Sequence, residues 1–276
     1  MQPDEAQTEG NGDDTPDTGE GGTATDRNFV SSIARGFDVL RCFRPDERRL
    51  TNQQIASRTG LPKPTVSRLT YTLRKLGYLV QSDTDGSYRL GAGVLSLGYS
   101  VLAQMEIADR AKEEMARLCE GPNPYVTAAL GERHRLQVVY LAVRQTNQAV
   151  SLTMEVGARL PLFQSAIGRA ILVGMSEEER THLLHMAIED RPESEQQLRK
   201  SVSDALDSFA EHGVVTSFGD WRKEVNGIAV PVRAPAGDRL YALNVGGPSF
   251  LVTGEELLEA YGERLAASGQ MLSTVG

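Results

Sequence analysis

Apolar residues recur at helical spacing between Phe29 and Leu90. Ile33, Phe37 and Leu40, with Val39 beside them, mark the inward face of a first helix. Thr51 precedes a short helix over Asn52 to Arg58, its hydroxyl placed to cap a free backbone N–H, and Gly60 ends that helix. Leu61-Pro62-Lys63 turns into a third helix, whose first turn accepts Pro64 because the missing N–H has no helical partner there. Val66, Leu69, Leu73 and Leu76, spaced by three and four, give it a buried stripe that stops at Gly77. Tyr78-Leu79-Val80 and Tyr88-Arg89-Leu90 read as short strands around the hairpin turn Asp83-Thr84-Asp85-Gly86.

A longer helical stretch from about Val94 to Glu120, broken near Gln104 to Ile107, leads into a different pattern. Beyond Pro124 strands are predicted near Tyr125 to Leu130, Leu136 to Val143 and Val150 to Glu155, followed by a loop, Gly157-Ala158-Arg159-Leu160-Pro161. Helices follow, with capping boxes at Ser176-x-x-Glu179 and Thr253-x-x-Glu256, and the helix from Ser194 to His212 stops at Gly213. Strands near Val214 to Phe218, Gly227 to Arg233 and Arg239 to Val245 precede a last helix over about Gly254 to Ser268. Strands from both ends of the segment with helices between them predict an α+β sheet domain.

Charge sharpens this division. The 276 residues carry a formal net charge of −8, which argues against a uniformly basic nucleic-acid binder. The charge is not uniform. Residues 1–26 hold eight acids and no Lys or Arg, a composition expected to stay disordered. Residues 27–91 hold 12 basic and 5 acidic residues, a balance of +7, and residues 92–276 hold 17 and 24, a balance of −7. The acidic tail is read as an electrostatic competitor or solubiliser beside the basic block.

Several chemistries find no support. No run of about 18 apolar residues occurs, and the acidic N-terminus lacks the pattern of a signal peptide, so a soluble cytoplasmic protein without membrane partners is expected. Cys42 and Cys119 read as buried thiols, and His182 and His185 lack further ligands at metal spacing, so neither metal nor cofactor is expected. G-x-S-x-G, P-loop and G-x-G-x-x-G motifs are absent. Asp220, Glu224 and His212 are the acid/base candidates of an alternative enzyme reading; otherwise no catalytic residue is assigned.

The basic block has the layout of a helix-turn-helix. That motif needs a small residue where the second and third helices meet, a glycine in the turn and apolar residues inside the third helix. Ala56, Gly60, Val66 and Leu69 supply them, with Ile55 and Leu61 as further core positions. The outward face then carries Lys63, Thr65, Ser67, Arg68 and Thr72, types suited to phosphates and base edges, and Arg68 is best able to read a guanine bidentately. The hairpin with Tyr88 and Arg89 would be the wing. Thr51 and Arg35 join the DNA-facing set; Arg35 and Arg41 fit either phosphate contact or surface charge. Cys42 and Tyr71 are read as structural.

With these residues in view, the sequence resembles the IclR family of transcriptional regulators over about residues 29–270. The matching text is Ser31-Ser32-Ile33-Ala34-Arg35-Gly36-Phe37-Asp38-Val39-Leu40, Ile55-Ala56-x-x-Thr59-Gly60-Leu61-Pro62-Lys63-x-Thr65-Val66-x-Arg68-Leu69, Leu76-Gly77-Tyr78-Leu79 and Tyr88-Arg89-Leu90-Gly91. Leu160-Pro161-Leu162, Ala166-Ile167-Gly168-Arg169-Ala170, Ile228-Ala229-Val230-Pro231-Val232 and Val245-Gly246-Gly247-Pro248 match its second half. The resemblance implies a winged helix-turn-helix at residues 28–91 after a tail at 1–27, a linker helix at 92–110 and a GAF-like (profilin-like) effector-binding and oligomerisation domain at 111–276. It implies a homodimer or homotetramer on a palindromic operator, repressing or activating.

The ligand implied is a small organic or aromatic acid, since a helix N-terminus offers free amides and partial positive charge. Ser165-Ala166-Ile167-Gly168 opens a helix after the Pro161 loop, with Leu160 and Met154 as an apolar wall. By similarity of position, Asp220, Gly227, Asn244 and Gly246 line the same pocket. Positions that can carry hydroxyls in the family are Asn244 and Gly246 here, and one that can carry Cys is Gly227. The Gly168-Arg169 pair is similar to members that govern aromatic-acid catabolism. An architectural DNA-binding protein without ligand is the third reading.

Overall fold

A computed structural model of the chain describes residues 28–44, 47–146, 154–234, 237 and 239–274. The acidic tail and most of the strand expected from Val150 to Glu155 lie outside these residues; Met154 and Glu155 are described and are not in a strand. The chain divides into two compact units at Ser96/Leu97.

In the first unit, α1 (Ser31–Arg41), α2 (Asn52–Thr59) and α3 (Lys63–Lys75) precede a two-stranded antiparallel sheet, β1 (Leu79–Gln81) and β2 (Tyr88–Leu90). Thr51 caps α2 in a full capping box: its hydroxyl accepts the Gln54 N–H at 3.3 Å, and the Gln54 side chain accepts the Thr51 N–H at 2.8 Å. Gly60 closes α2 at φ 69°, where any Cβ would be strained, and so permits the tight turn into α3. Val39, Leu50, Ile55, Val66, Leu73, Leu79 and Tyr88 form the core.

Two helices differ from the expected stripes. On α1 the buried residue is Val39, while Ile33 and Phe37 are 59% and 49% exposed. Leu76, expected inside, is the C-cap of α3 and faces out; Thr70 takes an inner position instead, bonding its hydroxyl to the Val66 carbonyl at 3.0 Å.

The second helical stretch is two helices, α4 (Ala92–Leu102) and α5 (Glu106–Cys119). The second unit then runs β3 (Thr127–His134), β4 (Gln137–Gln145), β5 (Arg159–Pro161), α6 (Ala166–Gly174), α7 (Glu177–Asp190), α8 (Glu195–His212), β6 (Val215–Phe218), β7 (Val225–Arg233) and β8 (Leu240–Pro248). The C-terminus is α9 (Gly254–Glu256), one π-helical turn (Leu257–Tyr261) and α10 (Gly262–Ser273). The antiparallel sheet has the order β5-β4-β3-β8-β7-β6. The segment expected as a loop to Pro161 thus ends in a short edge strand.

Strand alternation sorts the sheet's side chains between two helical layers. Ala128, Leu130, Ile228, Val230, Leu243 and Val245 pack toward α5 and α10, and residues of α5 as early as Ile107 and Ala108 belong to that core. Ala129, Tyr140, Ala229 and Ala242 pack toward α6, α7 and α8. The Ser176 capping box forms in both directions. At Thr253 only half forms: the hydroxyl accepts the Glu256 N–H, but the Glu256 carboxylate takes the Asn123 side-chain amide at 2.9 Å. A winged helix-turn-helix unit and, later in the chain, a helix–sheet–helix unit make up the α+β architecture expected.

Candidate DNA-binding face and effector cavity

The outer side of α3 carries Lys63, Ser67, Arg68 and Thr72 in exposed positions, with Thr65 partly covered. Asn52 on α2 fixes this helix from the inside, donating to Ser67 Oγ at 3.3 Å and accepting from Thr70 Oγ1 at 3.3 Å. Arg74 reaches from α3 to the wing, donating to Gln81 Oε1 at 2.9 Å. Arg89 and Arg35 are exposed, as is Thr51, whose hydroxyl is already spent on the α2 cap. Arg41 pairs with Asp38 at 3.3 Å.

Tyr88 does not belong to the DNA-facing set. It is 6% exposed, packs in the first unit's core, and exchanges two backbone hydrogen bonds with Leu50. In a strand only alternate residues face the same way, so Arg89 points outward because Tyr88 points in. Tyr71 departs in the other direction. Read as structural from sequence, it is 55% exposed on the outer face of α3.

In the second unit, β5, α6, β7 and β8 converge on a cavity. Eight of the nine residues expected for the effector site line it: Met154, Leu160, Ser165, Ala166, Ile167, Gly227, Asn244 and Gly246. Ser165 is the N-cap of α6, accepting from the Gly168 N–H at 3.2 Å and donating to the Pro161 carbonyl at 2.7 Å. The amides of Ala166 and Ile167, in the first turn of α6, have no acceptor among the described residues, and both residues line the cavity.

Two glycines of the lining have different causes. At Gly246 an added Cβ would meet the Asn226 carbonyl oxygen at 2.6 Å, so close strand packing excludes a side chain. At Gly227 the nearest atom to an added Cβ is 3.5 Å away, an ordinary contact distance, so close packing does not exclude a side chain there.

Asp220 is the ninth expected residue and does not line the cavity. Its carboxylate accepts from Arg169 Nη1 at 2.7 Å. Arg169 is buried, and also donates to the carbonyls of Phe163 and Thr216 at 3.0 Å each and to Ser201 Oγ at 3.1 Å. This network ties α6 to α8, β6 and the segment bearing Trp221, which is itself part of the cavity wall.

Thr127, Tyr140, Ser217, Trp221, Val225 and Asn226 complete the lining and were missed from sequence. The usable signal was strand alternation, which puts Thr127 on the same side of β3 as Ala129. Burial pushes the Tyr140 hydroxyl well above the ordinary tyrosine range, and the Asn244 side chain opposes that shift. Asn244 Oδ1 is buried with no partner among the described residues. The cavity is about 40 Å³ and its lining contains no charged side chain, so the α6 amides are its source of positive potential.

A basic helix-turn-helix with a wing, followed by a separate α+β domain built around a cavity, defines a DNA-binding transcriptional regulator. The IclR helix-turn-helix domain model matches residues 32–83, and that of the bacterial transcriptional regulator IclR C-terminal domain matches residues 99–274. The chain belongs to the IclR family. It is 33% identical to the HTH-type transcriptional regulator TsaQ1/TsaQ2 of Comamonas testosteroni, over 80% of this chain and 79% of that protein. An IclR family regulator from Brucella abortus shares 42% identity and a TM-score of 0.79, covering 90% and 93% of the two chains. An IclR homologue from Microbacterium hydrocarbonoxydans, crystallised with 4-hydroxybenzoate, has the same fold at 24% identity and TM-score 0.63, covering 88% and 98%. Family members are regulators, so the enzyme alternative for Asp220, Glu224 and His212 is set aside.

Proposed function

We propose that the chain binds a palindromic operator as a homodimer or homotetramer in the cytoplasm, and that a small organic or aromatic acid in the cavity shifts its operator affinity. Residues 28–91 serve as the DNA-binding domain, 92–110 as the linker and 111–276 as the effector and oligomerisation domain, with the end of the linker segment, Met105, Ile107 and Ala108, already packed into the core of that last domain. The observation that carries the effector reading is the cavity itself: free α6 amides and the unpartnered Asn244 Oδ1 set among Met154, Leu160, Ile167 and Trp221. An acid group fits the amides and an apolar body fits the walls. The 4-hydroxybenzoate held by the Microbacterium relative supports the same ligand class. Oligomerisation is supported by large apolar side chains left exposed on α1 (Ile33, Phe37) and on α4 (Leu95, Leu97, Tyr99, Val101).

Size adds a mechanism. A cavity that accepts benzene measures about 150 Å³, and this one has about 40 Å³. Holding an aromatic ring therefore needs the open mouth of the cavity or a wider state of its wall, and a ligand that favours one such state over the other would couple to the operator.

A thermal-shift screen of carboxylic and aromatic acids tests the reading. A true effector at 100 times its Kd is expected to stabilise the protein by about 2.7 kcal/mol. Gly227→Val, which adds two methyl groups at a residue lining the cavity where a Cβ meets nothing closer than 3.5 Å, should abolish that shift while the protein stays folded. A screen without a stabilising acid, or shifts identical in the Gly227→Val protein, would remove this assignment.

On the DNA side, Arg68→Ala is expected to weaken binding to a selected operator by about 1 to 3 kcal/mol and to relax specificity at the contacted base pair. Arg68 is exposed at the centre of the α3 outer face, so the effect should appear without loss of stability. An unaltered footprint would displace Arg68 from the recognition role.

A further inference from the structure

Tyr71 is the large apolar surface on the outer face of α3. Its ring is 55% exposed, although burial is the usual way a tyrosine ring lowers free energy. Residues three and four apart share a helix face, so Tyr71 lies next to Ser67 and Arg68 on one side and Arg74 and Lys75 on the other. The ring lies opposite the buried stripe of Val66, Thr70 and Leu73, and points where the DNA-facing residues point.

Two cations hold it there. Arg74 Cζ is 5.7 Å and Lys75 Nζ 5.6 Å from the ring centroid, within the range of cation–π attraction. Arg74 is in turn anchored on the wing through Gln81. The ring is therefore an oriented apolar surface within a basic face, already placed before DNA arrives. In the major groove the apolar feature available to such a surface is the 5-methyl group of thymine.

We infer that Tyr71 is a specificity-determining residue of this regulator, packing its ring against a thymine methyl in the operator while Arg74 and Lys75 flank it toward the phosphates. The inference rests on α3 being the recognition helix. It assigns sequence reading to the ring and not to the phenolic hydroxyl.

The test starts with duplexes enriched by the wild-type full-length chain from a random-sequence library. Each thymine of the enriched site is then replaced by uracil, which deletes only the methyl group. At one position per half-site, uracil should weaken wild-type binding about 3- to 5-fold, the worth of one buried methyl. Tyr71→Phe should keep that penalty. Tyr71→Ala should bind thymine and uracil duplexes equally and should enrich sites with that position relaxed, while its melting temperature and its affinity for random-sequence duplex stay near wild type. If uracil costs wild type and Tyr71→Ala the same at every position, the inference is overturned. If Tyr71→Phe loses as much as Tyr71→Ala, the hydroxyl is the contact and the methyl assignment is overturned. If Arg68→Ala leaves the enriched site unchanged as well, α3 is not the recognition helix and the underlying reading fails first.

Discussion

Replacing Arg169 with methionine is expected to cost the second domain about 3 to 5 kcal/mol, the sum of several buried hydrogen-bond partners left without their donor at about 1 to 3 kcal/mol each. The guanidinium is only 9% exposed and satisfies two backbone carbonyls, the Ser201 hydroxyl and the Asp220 carboxylate. Methionine fills most of the volume but donates nothing, so the carbonyls of Phe163 and Thr216 lose a donor inside the protein. Lysine is no substitute, because one ammonium cannot span donors that the planar fork places on α8, β6 and the Trp221 segment together. The ion pair contributes less of the effect than the hydrogen bonds do. Asp220 is 46% exposed, so water screens its charge, and Asp220→Asn should cost about 1 kcal/mol or less.

Urea unfolding of the full chain, followed by fluorescence of Trp221, measures this directly, since Trp221 is the only tryptophan and sits beside the network. The chain has two units, so this signal reports the second domain and not global unfolding. An Arg169→Met midpoint equal to wild type would show that the network adds nothing. The same variant should also loosen Trp221 at the cavity wall and weaken any acid found in the thermal screen, the result expected of a positioning residue for the proposed effector site.

The network marks where sequence reasoning stopped. Arg169 entered only as part of a family-like pair and Asp220 as a pocket residue, because linear text cannot show that a guanidinium 51 positions away captures the carboxylate. The helix-turn-helix was far more legible. Its evidence is local: a capping residue, a left-handed glycine and a stripe at spacings of three and four are all read within about 20 residues. Where that reading erred, each error has a physical source. The α1 helix carries two apolar stripes, and the one with more large residues, Ile33 and Phe37, is left exposed while Val39 serves the core. In β2 a three-residue strand shows too little alternation to say which side is inside, so Tyr88 and Arg89 were grouped although they face opposite ways. In the cavity, the α6 end was legible from Ser165 and Ala166, whereas Tyr140 and Thr127 come from strands whose register only the folded sheet defines.

Gly168→Ala is the second large effect expected, and it separates backbone architecture from ligand chemistry. Gly168 lies in the first turn of α6, where a Cβ would sit 2.2 Å from the Leu162 carbonyl oxygen and 2.6 Å from its Cα. Both atoms are backbone, and neither can rotate away. The alanine therefore drives α6 off the segment before it, against a core that tolerates little displacement. It also strains the cap, because the Gly168 N–H is the donor held by Ser165 Oγ. A loss of about 3 kcal/mol or more is expected despite alanine's better helix propensity, which contributes about 1 kcal/mol in the opposite direction. Gly227→Ala supplies the contrast: it lines the same cavity, its Cβ meets nothing closer than 3.5 Å, and its stability should stay within about 1 kcal/mol of wild type. Urea midpoints read at Trp221 should rank wild type and Gly227→Ala together and Gly168→Ala far below. If Gly168→Ala unfolds with them, α6 is not pinned against Leu162, and the proposed acid-binding role of the Ala166 and Ile167 amides loses the rigid placement it is argued from.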